Sequence, residues 1–201
     1  MSTLILVRHG QSIYNLENRF TGSLDIGLTQ FGEQEAKLAG QKLMDFKFDF
    51  AYTSTLIRAK ESLRIILDEI HQNHIKIIEN SALNERSYGH LQGLNKDEIN
   101  EKYGANQVEI WRRSYAIRPP DGESLEDTYN RTIPFYKQEI ETKLKLNNKI
   151  LIVAHGNSLR ALVMYLENIS EVEITNLNIP TGIPKQYIFD ENLKVLEVKY
   201  L

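Results

Sequence analysis

The chain has 201 residues, of which 41% are hydrophobic and 25% charged, the balance of an ordinary folded protein with enough length for one well-buried core. Its 24 basic and 27 acidic residues leave a formal charge of -3, which argues against a nucleic-acid polyanion as partner and makes any anion site a local feature. With no cysteine there are no disulfides, no thiolate chemistry and no Cys-ligated zinc, and the composition fits a reducing compartment, the cytoplasm.

Taken in chain order, Leu4-Ile5-Leu6-Val7 is a short aliphatic run bounded by polar residues and predicts a strand buried on both faces. The segment has no basic flank, no small-residue cleavage site and no apolar stretch of about 18 residues, so neither export nor membrane insertion is expected. Thr29 caps a predicted helix running to about Phe46, with Ala36, Ala39, Leu43 and Phe46 on one stripe. A weaker strand at Phe48 to Tyr52 is followed by a helix over Thr55 to Ile70, and another strand by Ile75 to Ile78. The stretch from Ser81 to Asp121 fits this alternation least and is expected above the sheet. Ser124 caps a helix from Leu125 that Pro134 should kink.

Ile150-Leu151-Ile152-Val153 predicts a second doubly buried strand, running directly into a helix over Asn157 to Leu166. Tyr187 to Phe189 and Val195 to Val198 can pair around Asp190-Glu191-Asn192. Strand alternating with helix, without a sequence period, predicts an α/β three-layer sandwich in one domain over residues 1–201. Its sheet is mainly parallel with about six strands, and helices cover both faces.

The two apolar strands end alike, in Arg8-His9-Gly10 and in Ala154-His155-Gly156. Core packing has no need of such a pair. In an open parallel sheet ligands sit at the carboxyl ends of the strands, so neighbouring strands would bring both histidines into one crevice, and the glycines would let backbone amides approach an anion. His9 is surrounded by Arg8, Gln11, Ser12 and Asn15, and Arg58 begins a helix on the same side of the sheet. Arginines match phosphate oxygens in bidentate geometry, and their charges disfavour protonation of His9. A phosphate ester suits such a crevice.

The run Arg8-His9-Gly10-Gln11-Ser12 with Asn15 and Asn18-Arg19-Phe20-Thr21-Gly22 resembles the opening signature of the 2,3-bisphosphoglycerate-dependent phosphoglycerate mutases of the histidine phosphatase superfamily. Leu83-Asn84-Glu85-Arg86, Tyr88-Gly89, Leu91-Gln92-Gly93-Leu94-Asn95-Lys96, Trp111-Arg112-Arg113, His155-Gly156-Asn157-Ser158-Leu159-Arg160 and Asn178-Ile179-Pro180-Thr181-Gly182 follow in that family's order, covering essentially the whole chain. The resemblance implies interconversion of 3-phosphoglycerate and 2-phosphoglycerate through a phosphohistidine at His9, primed by 2,3-bisphosphoglycerate and without a metal. Bisphosphoglycerate mutase and phosphatase side activities would accompany it.

By the same resemblance Glu85 moves the proton and His155 stabilises the transferring group. Arg8, Asn15, Arg58, Gly156 and Asn157 hold that group, while Thr21, Gly22, Tyr88, Lys96, Arg112 and Arg113 grip the rest of the substrate. The implied partners are small-molecule phosphoglycerates, with no nucleic acid and no membrane, and a homo-oligomer is left open. Departures from the family are Gln11 for a frequent glutamate, and Tyr14 and Ser23 for frequent tryptophans. Longer members carry an insertion before Gly122 and a polar tail, whereas Pro119-Pro120-Asp121 here runs straight into Gly122 and the chain stops at Leu201.

Two rival chemistries fit part of the pattern. Water could accept the phosphoryl group from His9, giving a phosphatase. A metal could sit on His71 and His74, one helical turn apart, but His90 lies elsewhere and no carboxylate completes a ligand spacing.

Overall fold

Short aliphatic runs alternate with apolar stripes at helical spacing, and the computed structural model, which describes residues 1–201, forms strands and helices from them. The first half runs β1 (Ser2–Arg8), a single turn α1 (Ile13–Leu16), α2 (Gln30–Lys42), β2 (Phe50–Thr53), α3 (Ile57–Glu69) and β3 (Lys76–Glu79). Then come α4 (Lys96–Tyr103), α5 (Ala105–Arg113), α6 (Leu125–Phe135) and α7 (Glu141–Leu144). The chain ends with β4 (Lys149–Ala154), α8 (Gly156–Glu167) and the hairpin β5 (Lys185–Phe189) and β6 (Val195–Tyr200).

One six-stranded sheet has the order β3-β2-β4-β1-β5-β6. The strands β3, β2, β4 and β1 are parallel, and β5 and β6 extend the sheet antiparallel. Strand alternation divides the core. Leu4, Leu6, Ile150 and Ile152 pack with Ile133, Tyr136, Leu159 and Leu162 on the α6–α8 side. Ile5, Val7, Leu151 and Val153 pack with Ala36, Ala39, Leu63 and Ile66 on the α2–α3 side. This is the three-layer arrangement read from the sequence, with the two doubly apolar strands at its centre.

Three local differences have physical causes. The helix from Thr29 stops at Lys42 rather than near Phe46, because Phe46 stacks on Phe48 with ring centroids 5.9 Å apart and the Gln72 amide ties both backbones down. It donates to Phe46 O at 2.7 Å and accepts from Phe48 N at 2.8 Å. The next helix starts at Ile57, not Thr55. Thr55 is engaged by Asn84 Oδ1, and Asp25 Oδ1 accepts from Ile57 N at 2.6 Å, a cap supplied from 32 residues away.

Pro134 remains inside α6 and the α pattern gives way two residues later, at a π turn over Tyr136–Ile140, before α7 resumes it. The stretch Ser81 to Asp121 holds two helices, α4 and α5, that apolar periodicity did not disclose. Asn95 caps α4 by accepting from Asp97 N and Glu98 N, and Leu91, Ile99 and Val108 form a small core with Phe20 from the segment after α1.

Candidate active site

The register Leu4↔Ile150 through Arg8↔Ala154 sets the ends of β1 and β4 level. Just beyond them the rings of His9 and His155 lie 4.9 Å apart at 62°. The His9 turn rests on the first turn of α2. A Cβ on Gly10 would stand 2.0 Å from Gly32 O, so only glycine permits this approach.

His9 is 3% exposed, and its Nδ1 lies 2.6 Å from Gly10 O. A carbonyl can only accept, so Nδ1 carries the proton and Nε2 presents a lone pair. Arg58 Nε donates to that Nε2 at 3.3 Å. Burial, then the charges of Arg58 and Arg8, hold the His9 pKa well below 6.5. Arg58 itself is clamped, with Nη1 on Leu24 O and Nη2 on Gly22 O, each at 2.8 Å, and burial lowers its pKa to about 10, which leaves it charged.

His155 is fully buried, its Nε2 lies 2.6 Å from Ser54 Oγ, and burial followed by Arg58, His9 and Arg8 depresses its pKa strongly. Glu85 Oε1 accepts from Arg86 N at 2.8 Å and from Asn157 N at 3.1 Å. The second bond sets the carboxylate at the N-terminus of α8. Arg8 donates from Nη1 to Ile179 O at 2.8 Å.

The opposite wall comes from the Ser81 to Asp121 stretch. Arg86, fully buried, donates from Nη2 to Tyr88 Oη at 2.9 Å, Arg112 O at 2.9 Å and Trp111 O at 3.2 Å, so it fastens the end of α5 that bears Arg112 and Arg113. Burial opposes ionisation of Tyr88, but the Arg86 charge and hydrogen bonds from Arg86 and Asn157 outweigh it and lower the phenol's pKa. Lys96 opens α4, and burial followed by the neighbouring Arg112 lowers its pKa. Gly22, at φ 54°, sits against Gln92, whose Oε1 also accepts from Ser23 N at 2.8 Å and Tyr88 N at 3.2 Å.

These groups line one cleft of 18 residues, of which only three are hydrophobic. It contains Arg8, His9, Asn15, Thr21, Gly22, Arg58, Glu85, Tyr88, Lys96, Arg112, Arg113, Gly156 and Asn157, every sequence-predicted site residue except His155, which is buried beside His9. The structure adds Arg19, Phe20, Arg160, Asn178 and Ile179. Arg160 donates to Asn157 Oδ1 at 3.0 Å and Ile174 O at 2.5 Å. It stands one helical turn after Asn157 on α8, a spacing that could have marked it.

The cleft therefore sets seven cations, Arg8, Arg19, Arg58, Lys96, Arg112, Arg113 and Arg160, against one carboxylate, Glu85. Arg8 Nε, Thr21 Oγ1, His155 Nδ1 and Arg160 Nε are buried without hydrogen-bond partners. Buried polar atoms left unpaired are costly.

The three remaining histidines stand apart from this cleft. His71 and His74 lie beyond the end of α3, not on it, and exposed His90 pairs with Asp121 at 3.1 Å. No group of three or more His, Cys, Asp or Glu side chains is arranged to hold a metal ion. No helix is long and apolar enough to cross a membrane.

A family model described as the histidine phosphatase superfamily (branch 1) matches residues 4–197. The chain is 54% identical over 201 residues to a 2,3-bisphosphoglycerate-dependent phosphoglycerate mutase of Cytophaga hutchinsonii, covering 100% of this chain and 94% of that one. To the protein of the same name from Parvibaculum lavamentivorans it is 52% identical, covering 98% of this chain and 95% of that one. Among solved structures, a mycobacterial glucosyl-3-phosphoglycerate phosphatase superposes with a TM-score of 0.85 at 22% identity, covering 100% of this chain and 97% of that one, a likeness of fold.

Proposed function

The chain belongs to the histidine phosphatase superfamily, branch 1, and from that premise we propose that it interconverts 3-phosphoglycerate and 2-phosphoglycerate through a phosphohistidine at His9, with residues 1–201 acting as one catalytic domain. The reading rests on relatives above 50% identity that carry this activity in their names. The single structural observation that supports it best is the neutral His9, its lone pair at Nε2 inside a cleft of seven cations and one carboxylate.

Bound 2,3-bisphosphoglycerate supplies the phosphoryl group that charges His9. The orphaned donors Arg8 Nε, Thr21 Oγ1 and Arg160 Nε, with Arg112, Arg113 and Lys96 on the far wall, fit an acid bearing two phosphates and a carboxylate. In the forward step the free hydroxyl oxygen of 3-phosphoglycerate attacks phosphorus. The bond from phosphorus to Nε2 breaks and its electron pair returns to the imidazole, while Glu85 takes the hydroxyl proton. In the reverse step Nε2 attacks the other phosphorus, and Glu85 returns the proton to the oxygen that leaves.

Charge spreads over the equatorial oxygens during each transfer, and Arg8, Arg58, Asn157 and His155 stand ready to hold it. In this reading fixed guanidinium groups do the work that a metal would otherwise do. In this reading the activity is cytoplasmic, which a cysteine-free composition fits.

The test is formation of 2-phosphoglycerate from 3-phosphoglycerate in a chelator, with and without trace 2,3-bisphosphoglycerate, while phosphate release is recorded. Rapid isomerisation that depends on the primer supports the proposal. Phosphate release without isomerisation would keep the His9 chemistry but make water the acceptor.

A further inference from the structure

A serine outside the cleft lining hydrogen-bonds to His155. Strand β2 pairs with β4 in the register Thr53↔Val153, so the residue after β2, Ser54, meets the residue after β4's last, His155. Ser54 is fully buried, and its Oγ lies 2.6 Å from His155 Nε2. The same Oγ accepts from Leu56 N at 3.2 Å.

We infer that Ser54 is a positioning residue, whose hydroxyl donates to His155 Nε2 and thereby keeps the single proton of the neutral His155 ring on Nδ1.

A serine hydroxyl has one hydrogen to give and lone pairs to receive. With Leu56 N occupying a lone pair and no carbonyl accepting from Ser54 Oγ, the hydrogen is free for His155 Nε2. Burial and the neighbouring arginines keep His155 neutral, so its one ring proton can reside on only one nitrogen. Which one it occupies decides what the ring can do, because Nδ1 is buried, has no partner, and belongs to a ring packed edgewise on His9. With the proton on Nδ1 the ring is a donor toward a phosphoryl oxygen on His9. With the proton on Nε2 it would present a lone pair to that oxygen and repel it. A neighbour that fixes a histidine tautomer is a recurring device in catalytic sites.

The inference rests on the phosphohistidine reading for its kinetic consequence but not for its tautomer. The tautomer is therefore measured first, in the intact wild-type protein without substrate, by nitrogen-15 NMR of histidine-labelled enzyme with His155 assigned through a His155→Gln variant. Protonated Nδ1 and unprotonated Nε2 are expected, and the reverse would overturn the proposal whatever the substrate proves to be. Ser54→Ala should then convert the His155 signals to a mixture or to the other tautomer. In the same variant the rate of phosphoryl transfer to and from His9 should fall about tenfold to a hundredfold, by analogy with the loss of groups that orient metal-bound imidazoles, with KM changed less than about twofold. Ser54→Thr, which keeps the hydroxyl, should restore most of the rate. A Ser54→Ala enzyme with unaltered His155 signals and wild-type transfer would also overturn it, while a wild type lacking mutase activity but showing the expected tautomer would sink only the substrate assignment.

Discussion

Arg58 donates to the unprotonated ring nitrogen of His9. Its Nε–H points at His9 Nε2 from 3.3 Å while its two terminal nitrogens are committed to Gly22 O and Leu24 O. The guanidinium is thus a fixed donor facing the atom that would bear phosphorus, aligned before any ligand arrives, which is the condition for electrostatic preorganisation.

Arg58→Lys keeps the charge, but a compact ammonium cannot span the three acceptors that the planar guanidinium reaches from three separate nitrogens. The rate of phosphohistidine formation should fall about a hundredfold to a thousandfold, the cost of losing a preorganised donor. Rapid-quench measurement of phosphoenzyme would decide it, and a near-native rate would mean that charge alone suffices.

Glu85→Gln is close to isosteric, and the new amide oxygen can still accept from Arg86 N and Asn157 N, so the loop around residue 85 should keep its place. What disappears is the carboxylate proposed to carry the proton. We expect kcat to drop by about a hundredfold to ten-thousandfold, the usual worth of general acid–base catalysis, with KM nearly unchanged. A large rise in KM at constant kcat would show that Glu85 binds substrate instead.

Gly10→Ala forces a methyl to within 2.0 Å of the Gly32 backbone oxygen, which cannot swing aside. The loss should be about 3 kcal/mol or more, at the upper end for overpacking. Gly22→Ala meets the Gln92 side chain, which can move, and its main cost is a left-handed backbone, about 1–2 kcal/mol. Urea midpoints should rank Gly10→Ala below Gly22→Ala, and the opposite order would contradict the packing described for the His9 turn.

His9 and His155 both have pKa values well below 6.5 in the folded chain, chiefly through burial. Below pH 6.5 the unfolded chain takes up protons at these positions that the folded chain refuses, so stability should fall as pH drops through and below 6.5. Above it neither state binds the protons and the effect vanishes. Replacing both histidines with Gln should flatten the acid limb of stability against pH, measured by denaturant titration. An unchanged slope would mean that other groups govern it.

Much of this was legible without coordinates, and for a definite reason. Leu4 to Val7 and Ile150 to Val153 are apolar at every position, a pattern only a doubly covered strand requires, so the centre of the sheet and the two His-Gly turns beyond it follow from neighbouring residues alone. The motifs around Arg8, Glu85, Trp111 and His155 marked the cleft residue by residue, because each motif is local in the chain even though the cleft is not.

What escaped depends on partners far apart in sequence. The start of α3 is capped by Asp25, the end of α2 is set by Gln72, the α5 arginines are fastened by Arg86 from 26 residues away, and Arg160 enters the cleft only because α8 packs where it does. The sequence by itself determined the sheet, its covering helices and the chemical character of the cleft, since hydrophobic period and residue type are carried by each segment. Only the tertiary structure decided which nitrogen of each histidine is committed, which donors remain unpaired and what clamps the arginines, because a hydrogen bond is a matter of distance and direction between atoms that the chain order does not bring together.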